Sequence, residues 1–287
     1  MNYTEQRKRL RAIMAGSKCL SPASVFDPIS ARVAESVGYE IGLLSGSVAS
    51  LTTLAAPDVV VLTLTEMADQ VRRIMRASNL SLIVDADHGY GNALSAMRTT
   101  QELEHAGVSA FTLEDTALPT PFGQDESKPS LISLEEAVGK MRAALAARSD
   151  PSLIIVGRTS ALPIEGIEGT VKRVKAYEAA GVDGIFLANI KSLAEVAAVH
   201  AAVKIPLIAG NAPASITRED FAANGVRVQL QGHQNIPTIV KALREIYTHL
   251  YNGGAPADLA PKMASAKEMA GIVDEENYKK WQREYLR

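Results

Sequence analysis

Eight short apolar, β-branched runs recur along this chain in alternation with amphipathic stretches, at 23–27, 41–45, 82–85, 110–114, 153–157, 184–188, 206–209 and 226–230. Buried parallel strands read as continuous apolar runs, and each needs a helical crossover before the next can pair with it. Helical periodicity fills the gaps, as at 93–105, 134–147 and 170–180, and Gly107 and Gly181 stand where a left-handed residue closes a helix. A βα unit repeated eight times is the arithmetic of an α/β fold of the (β/α)8 TIM-barrel type. An open doubly wound sheet shares the alternation and differs mainly in strand count. A helix is expected ahead of the first run, at 3–14, and a helical tail after the eighth unit.

No Pro/Gly/Ser-rich linker or shift of composition divides the 287 residues, so one domain is expected, with the barrel at about 20–251 and the tail at 252–287. The tail carries Met263, Met269, Val273, Tyr278, Trp281 and Tyr285, too much apolar surface to leave in water. It is expected to pack on the barrel or on a neighbouring subunit. Lys and Arg total 30 against 32 Asp and Glu, and aromatics are 5%, which offers neither a basic footprint for nucleic acid or an anionic membrane nor a platform for stacked bases. The longest uncharged stretch, 41–57, is broken by Ser, Gly and Thr and falls short of the roughly 20 apolar residues a bilayer span needs. The single Cys19, placed on the first strand, can form neither an intramolecular disulfide nor a cysteine zinc site. With charge where a secretory signal needs an apolar core, the chain is expected in the cytoplasm.

Barrel chemistry sits at the C-terminal ends of the strands, and here those ends are acidic. The third run passes into Asp85 and Asp87, the fourth into Glu114 and Asp115, Asp27 closes the first, and Asp58 sits in the loop after the second. One Asp after a strand is commonly an N-cap or a turn former. Carboxylates on consecutive βα ends exceed what capping requires and repel one another unless a cation lies among them, and all-oxygen ligation with retained waters suits Mg²⁺. No His and Cys set has zinc spacing. Across the barrel the fifth run ends in Arg158, whose planar fork suits a carboxylate or a developing oxyanion, or a structural pairing with an acid. His233 follows the eighth run, where a loop histidine is more often solvated than catalytic.

Six segments resemble the phosphoenolpyruvate mutase and isocitrate lyase superfamily: SVFDPISARVAESVG (24–38), SGSVASLTTLAAPD (45–58), DADHGYGNA (85–93), LEDTALPTPFG (113–123), GRTSA (157–161) and QGH (231–233). The resemblance spans nearly the whole chain and is greatest to the Mg²⁺-dependent oxaloacetate decarboxylase branch. It implies Mg²⁺, or Mn²⁺ as a substitute, held by Asp85 with Asp58, Asp87 and Glu114 directly or through water. A small keto diacid is then expected on the Ser45, Gly46, Ser47 turn, with Arg158 and His233 as both binding and catalytic residues. The resemblance also implies a homotetramer, a dimer of dimers, in which the eighth helix, near 236–251, is exchanged between subunits.

Departures from the superfamily narrow the chemistry. Its lyases carry a Cys in the loop after strand four, its mutases an Asn, and this chain reads Thr120, Pro121, Phe122, Gly123, Gln124, with no Asn between Leu118 and Ser133. The usual Arg-Thr-Asp after strand five is Arg158, Thr159, Ser160. Loss of CO2 from a β-keto acid needs an electron sink but no proton removal at the bond-breaking step, so Mg²⁺-dependent decarboxylation of oxaloacetate to pyruvate and CO2 through an enolate is expected. The alternatives are a carbon–carbon lyase or an acetylhydrolase acting on a substituted malate or oxaloacetate, and a non-catalytic barrel that binds small acids. The loop at 119–129, with its Gly and Pro residues, is expected to act as a lid.

Overall fold

The structure, a computed structural model, describes residues 3–125 and 128–286. The chain runs α1 (Thr4–Ala15), β1 (Ala23–Ser24), α2 (Pro28–Val37), β2 (Ile41–Leu44), α3 (Gly46–Leu54), α4 (Leu64–Ala77), β3 (Ser81–Asp85), α5 (Ala93–Ala106), β4 (Ala110–Glu114) and α6 (Leu134–Ala147). It continues through β5 (Ile154–Thr159), α7 (Leu162–Ala180), β6 (Gly184–Leu187), α8 (Leu193–Ala202), β7 (Leu207–Ala209), α9 (Arg218–Ala223), β8 (Val226–Gln229) and α10 (Asn235–Tyr251). A 3₁₀ turn (Pro256–Lys262), α11 (Ala266–Ile272) and α12 (Glu275–Tyr285) follow.

The eight strands pair in sequence order and in parallel. Closure comes from the residues ahead of β1, because Leu20 donates its amide to the Arg227 carbonyl at 2.9 Å and accepts from the Gln229 amide at 2.9 Å. The sheet is therefore a barrel and not the open alternative. Each expected run is present within two residues at either end, save the first, of which only Ala23–Ser24 pairs as strand. Cys19 lies four residues ahead of that strand rather than on it, buried where desolvation pushes its thiol up to about 11. Asp27 caps α2, accepting from the Ser30 amide at 2.7 Å behind Pro28 at the first helical position, so its carboxylate serves the helix.

Two apolar layers follow from strand alternation. Outward-facing residues such as Val84, Phe111, Leu113 and Ile155 pack under the helices. Inward-facing Ile41, Leu43, Ile83, Ala110, Ile154, Val156, Ile208 and Val228 fill the axis together with Leu10 and Met14 of α1. Helix α1 thus closes the N-terminal end of the barrel, held there by Arg7, which donates to the Val108 and Glu104 carbonyls at 2.9 and 2.6 Å and pairs with Asp150 at 2.7 Å.

The eighth helix departs from this pattern. α10 has no buried residue and exposes Ile239, Val240, Leu243, Tyr247, Leu250 and Tyr251. A groove of about 610 Å³ lies between α2 and the start of α10, lined by Ile29, Val33 and Val37. The tail is tied to α10 by Lys262, 2.9 Å from Glu245, and meets α2 at α11, whose Ile272 carbonyl accepts from Arg32 at 2.7 Å. Among the described residues no helix is long and apolar enough to cross a membrane.

Leu10 is 0% exposed at the barrel axis, so Leu10→Ala leaves a cavity that α1 cannot easily collapse into. A loss of about 2–5 kcal/mol is expected by urea denaturation, with cavity-lining residues at the other end of the barrel untouched.

Candidate active site

The inward rows that fill the axis end in polar side chains at the C-terminal rim. On β2 the row Ile41, Leu43 continues to Ser45, on β3 Ile83 leads to Asp85, on β4 Ala110 leads through Thr112 to Glu114, and on β5 Ile154 and Val156 lead to Arg158. Thr112 Oγ1 donates to Asp85 Oδ1 at 2.8 Å, and Arg158 Nη1 donates to Asp85 Oδ2 at 2.5 Å. Arg158 Nη2 lies 3.3 Å from Glu114 Oε2, which also accepts from Thr116 Oγ1 at 3.1 Å. The Phe186 ring on β6 faces the guanidinium, its centroid 5.3 Å from Arg158 Cζ. Arg158 Nε is buried without a partner.

Burial and mutual repulsion dominate the electrostatics. Burial lifts Asp87 well above the usual carboxylate range, with Asp85, Glu114 and Asp58 adding to it. Asp58 is raised by burial and by Asp85, and Glu114 by burial against the pull of Arg158. Burial works against the Arg158 charge, but Asp85 and Glu114 more than restore it and hold the group above an ordinary arginine. His233 shares a 2.8 Å hydrogen bond between its Nδ1 and Ser24 Oγ, and burial lowers its pKa despite the nearby Asp85 and Asp58.

A cavity of about 210 Å³ opens among these groups, and Ser45, Ser47, Asp58, Asp85, Arg158 and His233 all line it. Gly46, Asp87 and Glu114 stand behind its wall. Among the described residues no three His, Cys, Asp or Glu side chains stand close enough to hold an ion directly. Thr112, Phe186 and Asn211 are among the lining residues that sequence reasoning missed. Thr112 and Phe186 carry a signal in strand phase, being an even number of residues from inward-facing neighbours, whereas Asn211, in left-handed backbone at φ 51°, carries none. Asp115 faces the opposite way from Glu114. Fully buried, it accepts from Thr159 Oγ1 at 2.7 Å and Tyr177 Oη at 2.6 Å and lies 3.4 Å from Arg173, locking the ends of β4 and β5 to α7.

Thr116 and Leu131 bridge the base of the loop after β4, whose tip carries a fully exposed Phe122. None of its described residues lines the cavity, and Glu126 and Ser127 of the expected 119–129 lid lie outside the described residues. A larger groove of about 730 Å³, bounded by Thr63, Arg98 and Pro119, runs outside the rim and holds none of the clustered acids.

The phosphoenolpyruvate phosphomutase family model matches residues 10–251. The chain is 50% identical over 260 residues to an oxaloacetate decarboxylase of Rhodopseudomonas palustris (strain BisB18), covering 90% of each. It is 48% identical over 276 residues to an oxaloacetate decarboxylase of Bradyrhizobium diazoefficiens, covering 96% of this chain and 95% of that one. Among solved structures it is similar to a phosphonopyruvate hydrolase complexed with oxalate and Mg²⁺, with a TM-score of 0.86, 28% identity and 98% and 99% of the two chains covered.

Gly46, at the start of α3, owes its identity to Asp87. A Cβ there would lie 2.5 Å from Asp87 Oδ1 and 3.0 Å from Oδ2, and Asp87 is itself buried in left-handed backbone at φ 46°. Gly46→Ala is expected to cost about 1–3 kcal/mol in urea denaturation as the carboxylate is displaced. Unchanged stability would mean that Asp87 swings freely.

Proposed function

The chain belongs to the phosphoenolpyruvate phosphomutase family, and from that premise we propose that its rim cavity binds a small keto diacid beside a divalent cation and releases CO2 from it. The activity is that of a carboxy-lyase, decarboxylation of oxaloacetate, in keeping with relatives about half identical over nearly the full length. One observation carries the reading: among the described residues lining the cavity there is no Cys, Lys or Tyr, so the thiol that the superfamily's lyases use as acid and base has no counterpart there. A carbon–carbon lyase must move a proton at carbon with a group of tuned pKa, whereas loss of CO2 does not require one at bond cleavage.

The donor set fits a hard cation. Burial and mutual repulsion raise Asp58, Asp87 and Glu114, and one guanidinium leaves these three and Asp85 short of positive charge. Asp85 would hold Mg²⁺, or Mn²⁺ in its place, with Asp58, Asp87 and Glu114 directly or through retained water. When bound, the ion would supply a Lewis acid that makes negative charge on a keto oxygen less costly. Thr112 fixes the Asp85 carboxylate by donating to one of its oxygens. Arg158, which lines the cavity, donates to substrate oxygens through the terminal N–H groups that Asp85 and Glu114 leave free and stabilises charge developing on those oxygens. Ser45 and Ser47, at the first turn of α3, receive a substrate carboxylate where the helix N-terminus favours negative charge. His233 contacts the substrate, and it or water delivers the proton that completes pyruvate. The exposed Phe122 suits a loop that folds over the cavity and excludes water.

The barrel unit is 20–251 with the tail at 252–287, and the assembly is a homotetramer, a dimer of dimers, in which α10 fills the partner's groove beside α2. Its support is the apolar face that α10 leaves uncovered and the matching apolar walls of that groove. A lone buried Cys19 suits the reducing cytoplasm.

Coupled reduction of pyruvate, corrected for the spontaneous decay of oxaloacetate with Mg²⁺, is expected to show turnover that chelator abolishes. Arg158→Ala should lower kcat about 10²–10³-fold. Turnover no faster than the background would overturn the reading. Light scattering at micromolar concentration is expected to give four subunits, and a monomer would sink the helix exchange.

A further inference from the structure

We infer that Phe186 is a positioning residue for this reaction, holding the Arg158 guanidinium at the orientation from which its donors meet the substrate. The inference rests on the decarboxylase reading for its substrate and on local geometry for everything else. Asp85 and Glu114 take the two terminal nitrogens of Arg158, and those contacts alone leave the guanidinium plane free to roll about the line between them. Phe186 supplies the missing restraint. It is the register partner of Arg158 on the next strand, it is 6% exposed, and its centroid lies 5.3 Å from Cζ. A cation over a desolvated ring face is attracted to it, and the ring is broad enough to fix the plane.

Gly210 shows that the ring is itself held in place. Its backbone lies outside the left-handed region, so conformational freedom does not explain a glycine there. A Cβ would lie 2.6 and 2.7 Å from Phe186 Cε2 and Cζ, so the ring tip occupies the space that any other residue would fill. Ile208, two residues earlier on β7, is the register partner of Phe186, which places Gly210 directly past it along the same row. Glycine at 210, the ring of 186 and the guanidinium of 158 thus form one stack across β7, β6 and β5.

A double-mutant cycle tests this, because a residue that acts through Arg158 loses its effect when the planar fork is replaced. Phe186→Met keeps the volume and removes the ring face, and should lower kcat about tenfold while KM stays within about twofold. In an Arg158→Lys background the same change should cost less than about twofold. Gly210→Ala displaces the ring without removing it, should act in the same direction with the same dependence on Arg158, and carries the test if Phe186→Met fails to fold. Equal losses in both backgrounds would make Phe186 a mere cavity wall and overturn the proposal. Oxalate affinity, measured calorimetrically across the cycle, reads the same coupling without turnover. Coupling in oxalate binding with no enzymatic loss of CO2 from oxaloacetate would sink the substrate reading and leave the hold of Phe186 on Arg158 standing.

Discussion

Arg158 sits among more negative charge than it can neutralise, and the rim of the barrel is organised around that imbalance. It meets Asp85 and Glu114 directly, while Asp58 and Asp87 crowd the same region from two other loops. Two unit charges 4 Å apart interact by about 4 kcal/mol at an effective dielectric near 20, so a buried like-charge pair is a substantial liability. Burying even a balanced ion pair often gains nothing over well-packed apolar groups. A rim rich in carboxylates is therefore poor stability engineering. Its excess of carboxylate is the charge that the proposed divalent cation would offset before any anionic ligand could enter.

Strand phase decides which acids join that cluster. Glu114 and Asp115 are neighbours in sequence, yet one faces the axis and the other is fully buried beneath α7, because successive side chains on β4 point to opposite faces. The two carboxylates then have separate tasks. Glu114 meets Arg158, while Asp115, tied to Thr159, Tyr177 and Arg173, holds the end of β5 in the register that presents Arg158. Thr159 is the residue next to Arg158, so the same alternation sends one into the cavity and the other into the supporting network.

This is also where the sequence stopped being legible. The eight units were readable because most strands are apolar on both faces and bounded by helical periodicity, but that same continuity masks which face looks inward until a polar strand end such as Asp85 or Arg158 fixes the phase. Phe186 reads as core for this reason, although it borders the cavity. The expected first strand shrinks because Asp27 and Ser30 close a capping box that claims the chain for α2. α7 begins at Leu162, eight residues before the periodicity at 170 suggests, because Pro163 starts a first segment that bends at Gly166, φ 67°. The cluster of Asp85, Asp58 and Arg158 was visible as residue types at strand ends. The hydrogen bond from Thr112 to Asp85 and the left-handed Asn211 depend on contacts across strands and had no local signature.

Helix α1 fills the lower end of the barrel with Leu10 and Met14, so among the described residues the cavity opens at the rim. Substrate, water, CO2 and pyruvate share one doorway. A neutral gas offers the charged rim nothing to hold, whereas an acid does, so the two products need not depart together. The order of departure is then set at the rim itself, by how firmly Arg158 and its neighbours hold the acid that remains once the neutral product has gone.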